Sequence, residues 1–357
     1  MRVRFIGNMP GKSFSGGRLL ALTMAESLAS AAVDVDFLTD NIPEMYDEFR
    51  PFSRIRLTVA DFADLSPWAD RDIDVVVIVP CLRNILQHGE WTRHAIECGA
   101  RIVLVNFETP NWFNELSPVK RPAAWWKGWD IVSEYADLIM SISPEGGRYA
   151  RQYYVNAPET CLFDYCYTAI NSVVADRAPR RPDPDKRIVF LTRVDKHKGY
   201  DLLAPLISRD LAGYTVTLNF GEGRVPPRVL RDWRGRFRDA GMDLEVCQRI
   251  SSLDKFTMLK NSALLYFPTR FEGLGLPPLE AAYCGLPCAC SDLPVLRELG
   301  GGAFVYGNPG DEADMRRAVL EALGSRERVL KEQARMTDLG GMDRCGQRLK
   351  ALLEKLL

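Results

Sequence analysis

Two cations, Arg193 and Lys198, and one short glycine-bearing loop in the second half of the sequence have the types and order needed to hold a polyanion. The loop is Glu272-Gly273-Leu274-Gly275-Leu276, which follows the apolar run Leu264 to Phe267 and leads into a helical pattern opened by Pro277 and Pro278 and closed by Gly285. A helix start offers unpaired N–H groups and partial positive charge, and glycines let the backbone approach a bulky anion. A diphosphate suits that geometry. Upstream, Arg193-Val-Asp-Lys-His-Lys198-Gly199 follows another apolar run, Ile188 to Leu191, and supplies two cations able to neutralise the same group. Each feature alone has an ordinary reading. Glu280, early in its helix, suits the helix dipole without any ligand, and an isolated Arg193 or Lys198 is usually a solvated surface charge. Their joint occurrence, each on a strand-to-helix turn, is what points to anion chemistry.

Such turns need a sheet to carry them. Short β-branched runs alternate with longer amphipathic stretches: Val3 to Ile6, a helix from Arg18 to Ala31, Val35 to Leu38, Ile73 to Val79, Arg101 to Val105 and Leu138 to Ile142. That alternation predicts βαβ units and a parallel, doubly wound sheet. The pattern stops in the proline- and charge-rich stretch from Ala175 to Lys186, then restarts with strand Ile188 to Leu191, a helix from Tyr200, strand Val216 to Phe220, a helix from Pro227, strand Leu264 to Phe267 and a helix from Pro278. The expected fold is α/β, with two Rossmann-like doubly wound domains facing a central cleft. Residues 1–180 form the first and 181–340 the second, and the helical stretch 341–357 packs back on the first. Ligands of such sheets settle outside the carboxyl ends of the strands.

Composition limits the partners. The 357 residues carry a formal net charge of -1, which gives no global attraction for nucleic acid. The start lacks the apolar core of a signal peptide, no stretch is long enough to cross a bilayer, and the nine scattered cysteines fit reduced thiols, so a cytoplasmic location is expected. His88, His94 and His197 are isolated from one another, so no metal motif is visible and no metal or resident cofactor is expected.

The ordered set resembles the retaining glycosyltransferase family 4, also called group 1, which has the GT-B fold. The matches are Glu272 and Glu280 at the family's spacing, Arg193 with Lys198-Gly199, Gly221-Glu-Gly223, the lead-in Leu264-Leu-Tyr-Phe-Pro268, and Cys284-Gly-Leu-Pro287. They cover nearly all of the C-terminal half and little of the N-terminal half. The resemblance implies a nucleotide-diphosphate sugar as donor, a glycan or lipid-linked acceptor, and transfer with retention and without metal, in surface polysaccharide or glycolipid assembly. It further implies that Glu280 binds the ribose and Glu272 the donor sugar. The diphosphate would lie against Arg193, Lys198 and the backbone of Gly273, Leu274, Gly275 and Leu276. In the N-terminal half, Gly16 and Gly17 match glycines near the donor phosphates. Where many members carry a pocket histidine this chain has Asn106 or Phe107, and Glu108 is the substitute expected here.

Some features compete with this reading. Gly7-Asn-Met-Pro-Gly-Lys12-Ser13 resembles a phosphate-binding P-loop, but it is one residue short and Pro10 removes an N–H that such a loop uses. Asp34 with Asp36, and Asp72 with Asp74, are expected at solvated strand edges rather than at a metal. Trp125, Trp126 and Trp129, interleaved with cations, suit a membrane surface or stacking on sugar rings, or else the core or a domain contact. A nucleotide-sugar epimerase, a sugar phosphorylase, a P-loop NTPase and a non-catalytic glycan- or nucleotide-binding module are the rival functions.

Overall fold

A computed structural model describes residues 1–7, 16–42, 44–61, 72–80 and 85–357. The chain divides into two compact units. The first comprises Met1–Glu115, Lys120–Ile170 and Gly341–Leu357, and the second Leu116–Val119 and Asn171–Gly340.

The first unit is built on a seven-stranded sheet: β1 (Arg2–Gly7), β2 (Asp34–Thr39), β3 (Arg56–Val59), β4 (Val75–Val79), β5 (Arg101–Asn106), β6 (Leu138–Ser141) and β7 (Leu162–Tyr165). The strands run parallel in the order β3-β2-β1-β4-β5-β6-β7. Central β4, Val-Val-Val-Ile-Val, is buried at every residue, as a strand covered on both faces must be. The helix Met342–Leu353 buries Met342, Cys345, Leu349, Leu352 and Leu353, spaced as one helical face. It packs on the helix Gly16–Ser30 at Gly346, where an added Cβ would lie 1.8 Å from Ser27 O.

The second unit carries β8 (Arg187–Thr192), β9 (Thr215–Phe220), β10 (Asp243–Gln248), β11 (Leu264–Phe267), β12 (Cys288–Ser291) and β13 (Val305–Gly307). This parallel sheet has the order β10-β9-β8-β11-β12-β13. Its chain order reverses direction between β8 and β11, which makes the carboxyl ends of those two strands the switch point where doubly wound sheets bind ligands. The two-unit, parallel-sheet α/β fold class is therefore the observed one.

Two local expectations fail. No α-helix follows Tyr200: β8 and β9 are joined by 3-10 turns at Lys196–Lys198, Ala204–Leu206 and Arg209–Leu211. Pro205 denies an α-helix its backbone donor there, and Leu203, Leu206 and Leu211 bury into the core without one. Asp36 is not a solvated edge residue. It is 2% exposed and takes Arg4 Nε at 2.9 Å and Arg56 Nε at 3.3 Å, the pairing a buried carboxylate requires. Asp34, Asp72 and Asp74 are exposed, and Asp74 accepts the Arg2 N–H at 2.7 Å.

Candidate active site

The segment after β8 is drawn against the segment after β11 by a glycine that no other residue could replace without movement. Gly199 has φ +67°, and an added Cβ would lie 1.8 Å from Pro268 O. Around this contact the His197 carbonyl accepts the N–H groups of Arg270 at 2.8 Å and Phe271 at 3.2 Å. The result is that Lys198, at the end of one loop, reaches Glu272 on the other: Nζ to Oε1 is 2.8 Å. Thr269 Oγ1 also lies 3.1 Å from that oxygen. Glu272 Oε2 has no protein hydrogen bond among the described residues.

Next to Glu272, the loop crosses Gly275 at φ +99°, where a side chain would strike Leu296, and enters the helix Leu276–Tyr283. The N–H groups of Leu274, Gly275 and Leu276 have no protein partner among the described residues. Because the helix begins at Leu276, Pro277 and Pro278 occupy positions that would otherwise offer further N–H groups, so the donors are confined to the turn itself. Glu280, 4% exposed, meets Lys255 Nζ at 2.5 Å through Oε1 and keeps its other oxygen free of protein partners among the described residues. Lys255 lies on the helix Ser252–Lys260, capped by Ser251. Sequence reasoning missed it, since nothing in local spacing joins residue 255 to residue 280.

Arg193 lies beside the Lys198–Glu272 pair in sequence but has different neighbours. Its Nη2 is 3.1 Å from His197 Nε2, while His197 Nδ1 is 2.7 Å from Asp195 Oδ1. Burial of the ring, with Lys198 and Arg193 beside it, pushes the His197 pKa down to about 3 despite Asp195, so the ring is neutral. Burial works against the Asp195 charge, but His197 and Arg193 together hold its carboxyl below the ordinary carboxylate range. Buried Arg193 Nε has no hydrogen-bond partner among the described residues. The loop after β9 is clasped to the same segment: Val194 N–H donates to Glu222 O at 2.9 Å, and Gly223, at φ +83°, leaves room for Val194.

The first-unit candidates form no comparable cluster. Glu108, after β5, is ion-paired with Arg121, and its carbonyl accepts Trp126 Nε1–H at 3.1 Å. Asn106 is fully buried between Ser141 Oγ and the Tyr154 hydroxyl, at 3.0 and 3.2 Å, and is a core residue. Gly16 and Gly17 open the helix Gly16–Ser30, and a Cβ on Gly17 would touch the Phe107 ring at 3.4 Å, an ordinary contact. Trp126 is buried, and half-buried Trp129 donates to Val105 O at 3.1 Å; only Trp125 of the three is exposed, beneath the Arg121 guanidinium. Two of the three tryptophans considered for a membrane surface are thus packing residues. The P-loop-like residues Asn8 to Ser13, with Lys12, lie outside the described residues. Among the described residues no His, Cys, Asp and Glu cluster could hold a metal ion, and no helix is long and apolar enough to cross a membrane.

The stretch that carries this cluster is also the one that a known protein family matches. Residues 185–325 match the family described as "Glycosyl transferases group 1". The serotype-specific mannosyltransferase WbdA of Escherichia coli is 43% identical over 203 residues, covering 54% of this chain and 23% of that protein. The O-antigen chain mannosyltransferase RfbU of Salmonella typhimurium is 33% identical over 84 residues, 22% of this chain and 24% of its own. The chain spans less than a quarter of the length of each curated relative it matches. Among solved structures, Anabaena HepE in complex with UDP superposes with a TM-score of 0.74 at 11% identity, over 99% of this chain and 100% of that one. The sucrose-phosphate synthase of Thermosynechococcus elongatus gives 0.74 at 14% identity, over 99% and 98%. At such identities the likeness is one of fold, the GT-B type.

Proposed function

We propose that the chain transfers a sugar from a nucleotide-diphosphate donor to a hydroxyl of a glycan or lipid-linked acceptor during polysaccharide assembly. The single observation that carries this reading is the arrangement at the β8/β11 switch point. There Lys198 is joined to Glu272, the residue preceding a turn whose three N–H groups have no partner among the described residues, and Arg193 keeps a donor with none among them. When a glycosidic bond to a diphosphate breaks, negative charge grows on the leaving phosphate, and fixed cations and N–H dipoles lower that barrier. Removing one such group costs about 3 kcal/mol of transition-state stabilisation.

In this reading the free oxygens of Glu272 and Glu280 accept hydroxyls of the donor sugar and the ribose. Arg193 and Lys198 do the work a divalent metal would do, so the reaction needs neither metal nor resident cofactor, and it proceeds with retention as the resemblance implies. In the same reading Gly16 and Gly17 are donor-phosphate glycines, and Glu108 takes the part of the family's pocket histidine. The 43% identity to a mannosyltransferase over half of the chain favours mannose as the transferred hexose. A cytoplasmic enzyme, peripheral to the membrane where its acceptor is lipid-linked, fits the same reading.

The test is a panel of nucleotide sugars followed by thermal stabilisation and by mass-spectrometric detection of product, with and without glycan acceptors. Stabilisation by at least one donor and acceptor-dependent product are expected. Turnover of the donor without any acceptor would instead favour an epimerase, and no response to any nucleotide sugar would remove the basis of the proposal.

A further inference from the structure

The two cations of the site are treated differently by their surroundings. Lys198 is compensated directly by Glu272, whereas Arg193 donates into the Nε2 lone pair of a ring 1% exposed. The nearest carboxylate oxygen to Arg193, Asp195 Oδ2, stands off at 4.0 Å, while the other Asp195 oxygen is taken by His197 Nδ1–H at 2.7 Å and by the His197 backbone N–H at 3.3 Å. An imidazole with Asp195 on Nδ1 must present Nε2 as an acceptor. The ring is held at both nitrogens, and its backbone is anchored where the His197 carbonyl accepts from the backbone of Arg270 and Phe271.

We infer that His197 is a positioning residue: it holds Arg193 through a neutral acceptor and keeps its guanidinium out of hydrogen-bond range of the Asp195 carboxylate, 4.0 Å away, leaving its N–H donors for a bound phosphate. This rests on the donor-site reading above and adds to it the reason Arg193 makes no hydrogen-bonded ion pair with Asp195. Without the ring, Asp195 and Arg193 are close enough to close into a direct ion pair, and a guanidinium already paired to a carboxylate has less to offer a developing oxyanion.

Three variants separate positioning from mere packing. His197→Leu fills the space but neither donates nor accepts; His197→Gln keeps one N–H and one acceptor oxygen; Asp195→Asn removes the carboxylate charge. His197→Leu is expected to lower kcat about ten- to a hundredfold with little change in the acceptor KM. His197→Gln should retain most of the activity. Adding Asp195→Asn to His197→Leu should recover part of the loss, although Asp195→Asn alone lowers activity in the parent. That reversal of sign is what a purely structural histidine would not give.

Affinity for inorganic pyrophosphate, measured by calorimetry on the same folded variants, should follow the same order. It reads the anion site even if the chain proves to transfer no sugar, so failure of the glycosyl-transfer reading and failure of this inference remain distinguishable. Nitrogen chemical shifts of labelled histidine should show His197 protonated on Nδ1 alone at pH 7. A ring protonated on Nε2, equal losses in His197→Leu and His197→Gln, or an Asp195→Asn change that lowers pyrophosphate affinity equally in both backgrounds would overturn it.

Discussion

Gly199→Ala is the change that most directly loads the contact on which the site is built. The added methyl would sit 1.8 Å from Pro268 O and 2.8 Å from Pro268 C, both backbone atoms. An unstrained carbon–oxygen approach is about 3.3 Å, so the loop after β8 must retreat from the loop after β11 by roughly 1.5 Å. The left-handed backbone costs a residue with a Cβ about 1–2 kcal/mol, and intrusion into packed atoms adds about 1–3 kcal/mol. Unit-two stability should therefore fall by roughly 2–5 kcal/mol, or on the order of 10 °C in Tm for a domain of this size. The same retreat separates Lys198 from Glu272, and displacement of about 1 Å at a reacting centre is worth roughly a hundredfold in rate. Gly213→Ala is the internal control: its φ is +81° but nothing lies within 4 Å of the added Cβ, so it should lose only the backbone part, about 1–2 kcal/mol. Denaturant titration of both variants, with turnover of the best donor, makes the comparison. Equal stability losses in the two, with turnover of Gly199→Ala within twofold of the parent, would refute the reasoning.

Other outcomes are expected from single interactions. Lys255→Met leaves the Glu280 charge buried and unpaired, since their side chains are 17% and 5% exposed, and should destabilise the second unit by about 3–5 kcal/mol. Adding Glu280→Gln should recover much of that stability while abolishing donor binding, as denaturation and calorimetry would report. The folded His197 ring gains its proton only near pH 3, against 6.5 ordinarily, so the unfolded chain binds more protons in between. Stability should be fully present above pH 6.5 and fall on acidification with a slope approaching ~1.4 kcal/mol per pH unit. His197→Gln should flatten that slope in urea midpoints measured between pH 4.5 and 7. In the first unit, Gly346→Ala would place a Cβ 1.8 Å from Ser27 O, and the resulting strain of about 1–3 kcal/mol should appear as faster amide exchange in Gly16–Ser30 and Met342–Leu353, with the second-unit sheet unchanged.

The strands legible in the sequence were those whose residues are buried on both faces. β4 and β11 are continuous apolar runs, whereas β3, β7 and β10 lie at sheet edges with partly exposed residues, so their composition carries little strand signal. Residues 200–211 looked helical from spacing, and Pro205 decided otherwise. Arg193, Lys198, Glu272 and Glu280 could be picked out because each follows the end of an apolar strand or opens a helix, positions defined locally. Their partners could not be read in the same way. Lys255 meets Glu280 across two helices, and Glu108 meets Arg121 from beyond the short helix Pro110–Leu116. Trp126 and Trp129 had a composition equally suited to a surface or a core, and their N–H bonds to Glu108 O and Val105 O give them a place within the unit. His197 stood in view between two lysines, but its burial follows from Gly199 and Pro268, a contact made only when β8 and β11 are neighbours.

The central claim is that a diphosphate binds where Arg193, Lys198 and the Leu274–Leu276 backbone come from adjoining strand ends. Calorimetric titration of the folded chain with nucleoside diphosphates, repeated on Arg193→Ala, Lys198→Ala and Lys12→Ala, tests it most directly. The account predicts that at least one nucleoside diphosphate binds, that each of the first two substitutions weakens it at least tenfold, and that Lys12→Ala weakens it far less. No binding by any nucleoside diphosphate, or affinity unchanged in Arg193→Ala and Lys198→Ala but lost in Lys12→Ala, would contradict it.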